Sequence, residues 1–183
     1  LRLKAVASRL GRLKQRVSLL DSLHGLTSKE FDMARIFLNS KMMVTEDGGL
    51  AVSLVNKTGT TSVKGTLVHA DANVDAAFIL TPVNDVDTFG VVYGNDAGAQ
   101  VADGVACWVV IAGLAYVLFQ AATTRGHFAR MTITADADDA AGYAISEAVP
   151  TSPFYTDKHF GEIGHVLETI GAPGLALCGL HFN

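Results

Sequence analysis

The chain has 183 residues, 49% hydrophobic and 17% charged, with a formal net charge of −4. That is enough apolar material for one substantial core and a small appendage. Two cysteines exclude a disulfide framework, and eighteen glycines against four prolines point to many tight turns.

Residues 1–20 read as a helix. Leu3, Val6, Leu10, Leu13, Val17 and Leu20 recur at intervals of three and four, which places them on one seam close to the 3.5-residue repeat of packed helices. Arg2, Lys4, Arg9, Arg12, Lys14 and Arg16 occupy the other faces, with no acidic residue among them. These are six of the chain's fourteen Lys and Arg, so the rest of the chain, with eight cationic and eighteen acidic side chains, carries about −10. The pattern is that of a basic, partner-seeking arm on an acidic body. Leu3, Val6, Leu10, Leu13, Val17 and Leu20 are its expected apolar anchors, and Arg9, Arg12 and Arg16 are expected to set register on a partner.

The first helix is expected to stop at Gly25, after His24. A second is expected from Thr27, where Thr27 and Glu30 have capping-box spacing and Leu26 and Phe31 that of a hydrophobic staple. Phe31, Ala34, Phe37 and Leu38 give it an apolar face that fades near Asn39. Residues 1–40 are thus read as a two-helix arm and residues 41–183 as an acidic, Gly-rich β body. The chain begins at Leu, which suits a processed product or a piece of a longer chain. No secretory signal is read in the basic start.

From residue 41 the rhythm changes to short β-rich runs separated by turn residues. Strands are predicted over Leu50–Asn56, Val63–His69, Asp75–Leu80, Phe89–Tyr93, Ala106–Ile111, Leu114–Phe119, His127–Ile133, Ile163–Ile170 and Leu175–Phe182. Many short strands at this spacing predict a compact small β-barrel or β-sandwich. Val105–Thr124 has no charge over twenty residues, long enough to cross a membrane as a helix. Trp108, Val109, Val110 and Ile111 are β-formers, however, and Gly113 interrupts the run, so two short strands or one strand bent at Gly113 are expected instead.

Candidate chemistry is sparse. His159, Glu162, His165 and Glu168 recur every three residues and would suit zinc on a helix. Gly161 and Gly164 oppose a helix there, and in a regular strand Glu162 and His165 point to opposite faces, so no metal is expected. Asp136, Asp138, Asp139 and Gly142 faintly resemble a calcium loop, but Ala141 stands where the EF-hand needs Gly, although Glu147 does occupy the twelfth position. A solvated acidic turn is the plainer expectation. Asn56-Lys57-Thr58 is a glycosylation sequon only in a secreted protein. No nucleophile elbow, phosphate-binding loop or dinucleotide Gly pattern is present. No catalytic residue and no cofactor is therefore expected. Cys107 and Cys178 both lie in apolar runs and read as buried thiols in a chain that folds in a reducing cytoplasm.

The body does resemble a family. Val63-Lys64-Gly65-Thr66-Leu67-Val68, Phe89-Gly90-Val91-Val92-Tyr93, Val101-Ala102-Asp103-Gly104, the run from Cys107 to Ala115, Thr124-Arg125-Gly126, His159 to His165, and Leu180-His181-Phe182-Asn183 follow one another in a characteristic order. That order is similar to the capsid decoration, or cement, proteins of tailed bacteriophages, over roughly residues 43–183. The resemblance implies a β-tulip-like body, without catalytic residues, that sits on the exterior of the phage head. There it forms a homotrimer at three-fold positions and clamps neighbouring subunits of the major capsid protein, after assembly in the host bacterial cytoplasm. The two-helix start is not a feature of the family's short members, and Tyr116 stands where a polar residue would be expected. Nucleic acid and a membrane surface are not the expected partners, but each is an alternative reading of the basic helix.

Overall fold

The computed structural model describes residues 41–83, 87–95, 98, 100–131, 140–148 and 161–182. Among these residues it is all β. The strands, in chain order, are β1 (Met42–Val44), β2 (Gly49–Asn56), β3 (Ser62–Val63), β4 (Leu67–Ala70), β5 (Ala77–Leu80), β6 (Gly90–Gly94), β7 (Gln100–Val101), β8 (Ala106–Phe119), β9 (Phe128–Arg130), β10 (Ile145–Glu147), β11 (Glu162–Val166) and β12 (Gly174–Leu180). The two-helix arm expected over residues 1–40 lies outside the described residues.

Five strands close on themselves. The order β2-β5-β4-β6-β8 returns to β2 through a further β2–β8 pairing, which makes a five-stranded barrel. Its contacts are antiparallel except for a short parallel pairing of β2 with β5, at Val55–Ala77 and Asn56–Phe78. Closure removes the open edges that a sheet of this size would otherwise expose. Of the two expected outcomes, the barrel is the one found.

Strand β8 is the spine of the body. The uncharged run that has the length of a membrane helix is one fourteen-residue strand, and no helix among the described residues is long and apolar enough to cross a membrane. Its first half pairs with β2 and β6, and its second half pairs with β12 from Gly113 to Phe119. Gly113 is the joint, opposite both Gly49 of β2 and Leu180 of β12. Its φ is +86°, and a Cβ there would lie 2.8 Å from the Gly48 carbonyl oxygen. Only glycine combines that conformation with that approach.

β3 and β7 pair in a separate two-stranded sheet, while beyond the joint the same ten-stranded sheet continues through β8, β12, β11, β9 and β10. It turns back toward its own start, because Ala144, just before β10, makes a parallel bridge with Phe119. Two apolar clusters fill the body. Val68, Phe78, Val92, Val101, Cys107 and Val109 form one, in the barrel region. The other runs from Ala51, Leu67, Val91 and Val110 of the barrel strands to Val117, Phe119, Ile163, Val166, Ala176 and Cys178 beyond the joint. Each large side chain so buried contributes about 1.5–3 kcal/mol, so the shared cluster ties the barrel to the part of the sheet beyond the joint.

One predicted strand is broken. Val63–His69 is split into β3 and β4 at Gly65, whose φ is +91°. Thr66 N donates back to Val63 O across this turn. The acidic turn near residue 136 lies in the undescribed stretch 132–139.

Candidate functional site

The residues expected to bind a partner through the arm, Leu3, Val6, Arg9, Leu10, Arg12, Leu13, Arg16, Val17 and Leu20, all lie outside the described residues. Within them, two features of the sheet beyond Gly113 stand out.

The first is an apolar outer face. Along β8 and β12 side chains alternate between core and solvent, as pleating requires. Ala115, Val117, Phe119, Ala176, Cys178 and Leu180 are buried, whereas Leu114, Tyr116, Leu118, Leu175 and Leu177 are exposed or half-buried. Register pairs Leu118 with Leu175, Tyr116 with Leu177 and Leu114 with Gly179. Leu167 joins them from beyond β11: its N–H donates to Leu177 O, and its Cδ1 lies 3.8 Å from where a Cβ on Gly179 would stand. Leu114, Leu167 and Leu175 are 37%, 43% and 39% exposed, which is high for three leucines on one sheet face. Tyr116 is explained by its neighbour. The Lys64 ammonium lies 5.1 Å from its ring centroid and 4.6 Å from that of Tyr93, and it is held by Asp47 Oδ2 at 2.7 Å.

The second feature is a cluster that the chain's spacing alone conceals. Glu162 pairs with Arg130, Gly164 with Ala129 and His165 with Phe128, so three steps along β11 match two along β9. This is a β-bulge, and it turns Glu162 and His165 to the same side. The expectation that the two would point apart is thereby corrected: it holds for a regular strand, and this strand is not regular. Gly164 permits the bulge, since a Cβ there would collide with the carbonyl oxygen of Gly179. His181, just after β12, completes the group. Its N–H donates to Ile163 O, which fixes its backbone against the bulge.

The resulting geometry is compact. Glu162 Oε1 lies 3.1 Å from His181 Nε2 and 3.8 Å from His165 Nε2. The three donor atoms all fall within 4.8 Å of one another. The imidazole centroids are 5.0 Å apart, and the Phe128 ring lies at the same distance from His165, both pairs tilted by about 50°. The Glu162 side chain is 3% exposed, whereas those of His165 and His181 are 46% and 45% exposed. Behind it, buried Arg130 is ion-paired through Nε to Glu147 Oε2. Glu147 is therefore a partner of Arg130, which argues against the calcium loop that would have needed it as a ligand.

Of the four residues with zinc-like spacing, the structure brings together Glu162 and His165. Glu168 is turned elsewhere, its Oε2 accepting from Leu177 N at 3.1 Å, and His159 lies outside the described residues. His181 was not legible as a partner from spacing along the chain. The one available signal was the strand pair Ile163–Ile170 and Leu175–Phe182, whose hairpin closure carries His181 back beside β11.

Other sequence features have structural roles. Asn56 of the sequon is fully buried, with Nδ2 donating to Thr60 O and Val101 O and Oδ1 accepting from Thr58 N. Both cysteines are free and buried in different clusters. Burial pushes each thiol up to about 12, and the Glu168 charge adds to the effect at Cys178.

The sequence matches no protein-family model and no curated protein. Among solved structures, the N base of the head fiber gp8.5 of bacteriophage phi29 aligns with a TM-score of 0.42 and 9% identity, over 73% of this chain and 94% of that one. At that similarity neither fold family nor function is carried over.

Proposed function

We propose that this chain is a non-enzymatic virion structural protein, a decoration or cement protein that binds the exterior of a tailed-phage head and bridges subunits of its major capsid protein. The observation that carries the reading is the apolar outer face of β8, β12 and β11. A rigid β body with Leu114, Leu167 and Leu175 open to solvent is built to be covered by a neighbour. The sequence resemblance supplies the kind of neighbour. Several of its segments fall on β4, β6, β8 and β11 of the ten-stranded sheet, and the others on β7 and on turns. A cement protein gains attachment from many copies of a modest contact, each body engaging a repeating lattice. A homotrimer at three-fold positions, with the basic arm reaching a neighbouring subunit, is the assembly that this reading favours.

Quantitative mass spectrometry of density-purified phage particles tests the proposal. A near-stoichiometric ratio to the major shell protein is the expected result, and absence from the particles refutes it. Leu167→Asp and Leu175→Asp, tested on particles that lack the protein, are expected to fold normally and fail to attach. Undiminished attachment by both variants would remove the apolar face from the interface.

A further inference from the structure

We propose that Glu162, His165 and His181 form a binding site for a divalent transition-metal ion of the zinc class, with Glu162 Oε1 and the two Nε2 atoms as ligands. The proposal is independent of the decoration reading.

The donor set selects the ion. Two imidazoles and one carboxylate suit zinc and its borderline neighbours, whereas calcium and magnesium take oxygen ligands. Bonds of about 2.0–2.2 Å place tetrahedral donors about 3.3 Å apart. Glu162 Oε1 already stands 3.1 and 3.8 Å from the two nitrogens. Both imidazoles are half exposed, and small ring rotations bring the third edge of the triangle to the same length.

The backbone is shaped for this convergence. Without the bulge at Gly164, Glu162 and His165 would face opposite sides of β11. With it, the carboxylate is buried at the floor and the two rings form the walls. Tilted ring contacts of Phe128 with His165, and of His165 with His181, limit the directions the rings can take. Binding uses the neutral imidazoles. The metal takes the Nε2 lone pair, and each ring keeps its single proton on Nδ1. Exposure of both rings leaves the remaining coordination position open to water.

The experiment uses the full chain, stripped with chelator and titrated with zinc ion alone by calorimetry, with metal analysis after dialysis. His165→Gln and His181→Gln are the variants, chosen because both side chains are half exposed and their loss leaves the core intact. If one fails to fold by circular dichroism, the other decides. The expected result is one zinc per wild-type chain, with affinity reduced at least ~10-fold in each folded variant. Zinc is also expected to raise the wild-type melting temperature in a concentration-dependent way, and Co2+ to give the intense visible bands of a four-coordinate site. The other four histidines of the chain are unchanged and serve as the internal control. Zinc uptake of equal stoichiometry and affinity in a folded variant, or none by the wild type at micromolar concentration, overturns the proposal.

Discussion

Asn56→Ala is expected to destabilise the body by about 3 kcal/mol. The wild-type side chain is fully buried at the end of β2 and makes three hydrogen bonds, to Thr60 O at 3.0 Å, to Val101 O at 2.9 Å and from Thr58 N at 2.9 Å. Each is worth about 0.5–1.5 kcal/mol net, and a buried acceptor left without its donor costs about 1–3 kcal/mol. The bond to Val101 is the buried one, so that carbonyl carries the larger penalty. For a body of this size, a loss of about 3 kcal/mol lowers the melting temperature by roughly 6–12 °C. The assay is urea unfolding with an unchanged m-value, supported by a thermal melt.

Asn56→Asp separates the hydrogen-bonding account from simple loss of packing. The introduced carboxyl would face two carbonyl oxygens in a buried site, which disfavours its charged form and raises its folded pKa above the unfolded value of about 3.9. A raised folded value contributes stability below the unfolded pKa and loses it as pH rises through the folded one. This variant is therefore expected to be markedly less stable at pH 7 than at pH 4, relative to wild type. A loss under 1 kcal/mol for Asn56→Ala, or a pH-independent deficit for Asn56→Asp, would refute the reasoning.

Three further outcomes are expected. Cys107 and Cys178, with thiols pushed up to about 12 by burial, should resist Ellman's reagent in the folded protein at pH 8 and react at once in denaturant. Because both folded values are raised above 9.0, stability contributed by the neutral thiols is complete below pH 9 and lost as pH rises toward 12, which urea melts across that range would register. Gly113→Ala should cost more than Gly126→Ala: both have φ of +86°, but only at Gly113 does a Cβ meet backbone, and equal losses of unfolding free energy would contradict that account. In the arm, Leu10→Asp with Leu13→Asp should impair particle attachment more than Arg12→Ala. The reverse ranking in a binding assay would mean that charge and not the apolar seam drives docking.

Much of the body's order was legible in local pattern. Leu50–Asn56 is a short β-rich run and becomes β2, extended by one residue, and the choice at Gly113 between two strands and one bent strand resolves as the bent one. Short edge elements were not legible. Met42–Val44, Gln100–Val101 and Ile145–Glu147 are two or three residues long, too short to show a period, and are defined by their pairing with β2, β3 and β9. The metal cluster was half legible, since Glu162 and His165 stand out by composition. Their convergence depends on the close approach of Gly164 to Gly179, a contact between strands that no spacing within β11 reports. His181 required the hairpin register in addition.

Gly179 links the two features of the sheet beyond Gly113. It is the register partner of Leu114 on one side and of His165 on the other, so the apolar face and the Glu162–His165–His181 cluster meet at a position with no side chain. A Cβ on Gly179 would stand in ordinary contact with Leu167 Cδ1, at 3.8 Å, while the close approach of the two backbones falls at Gly164, where a Cβ would collide with the Gly179 carbonyl. Any change that moves β11 away from β12 must therefore disturb both the seat of Leu167 and the distance from Glu162 to its two histidines. An ion joining β11 to the residue after β12 would hold that spacing from the outside, while Val166 and Cys178 hold it from the core. Metal binding and the shape of the apolar face are thus coupled through one strand pair. The coupling needs no further contact, because the ligands and the face share a single backbone register.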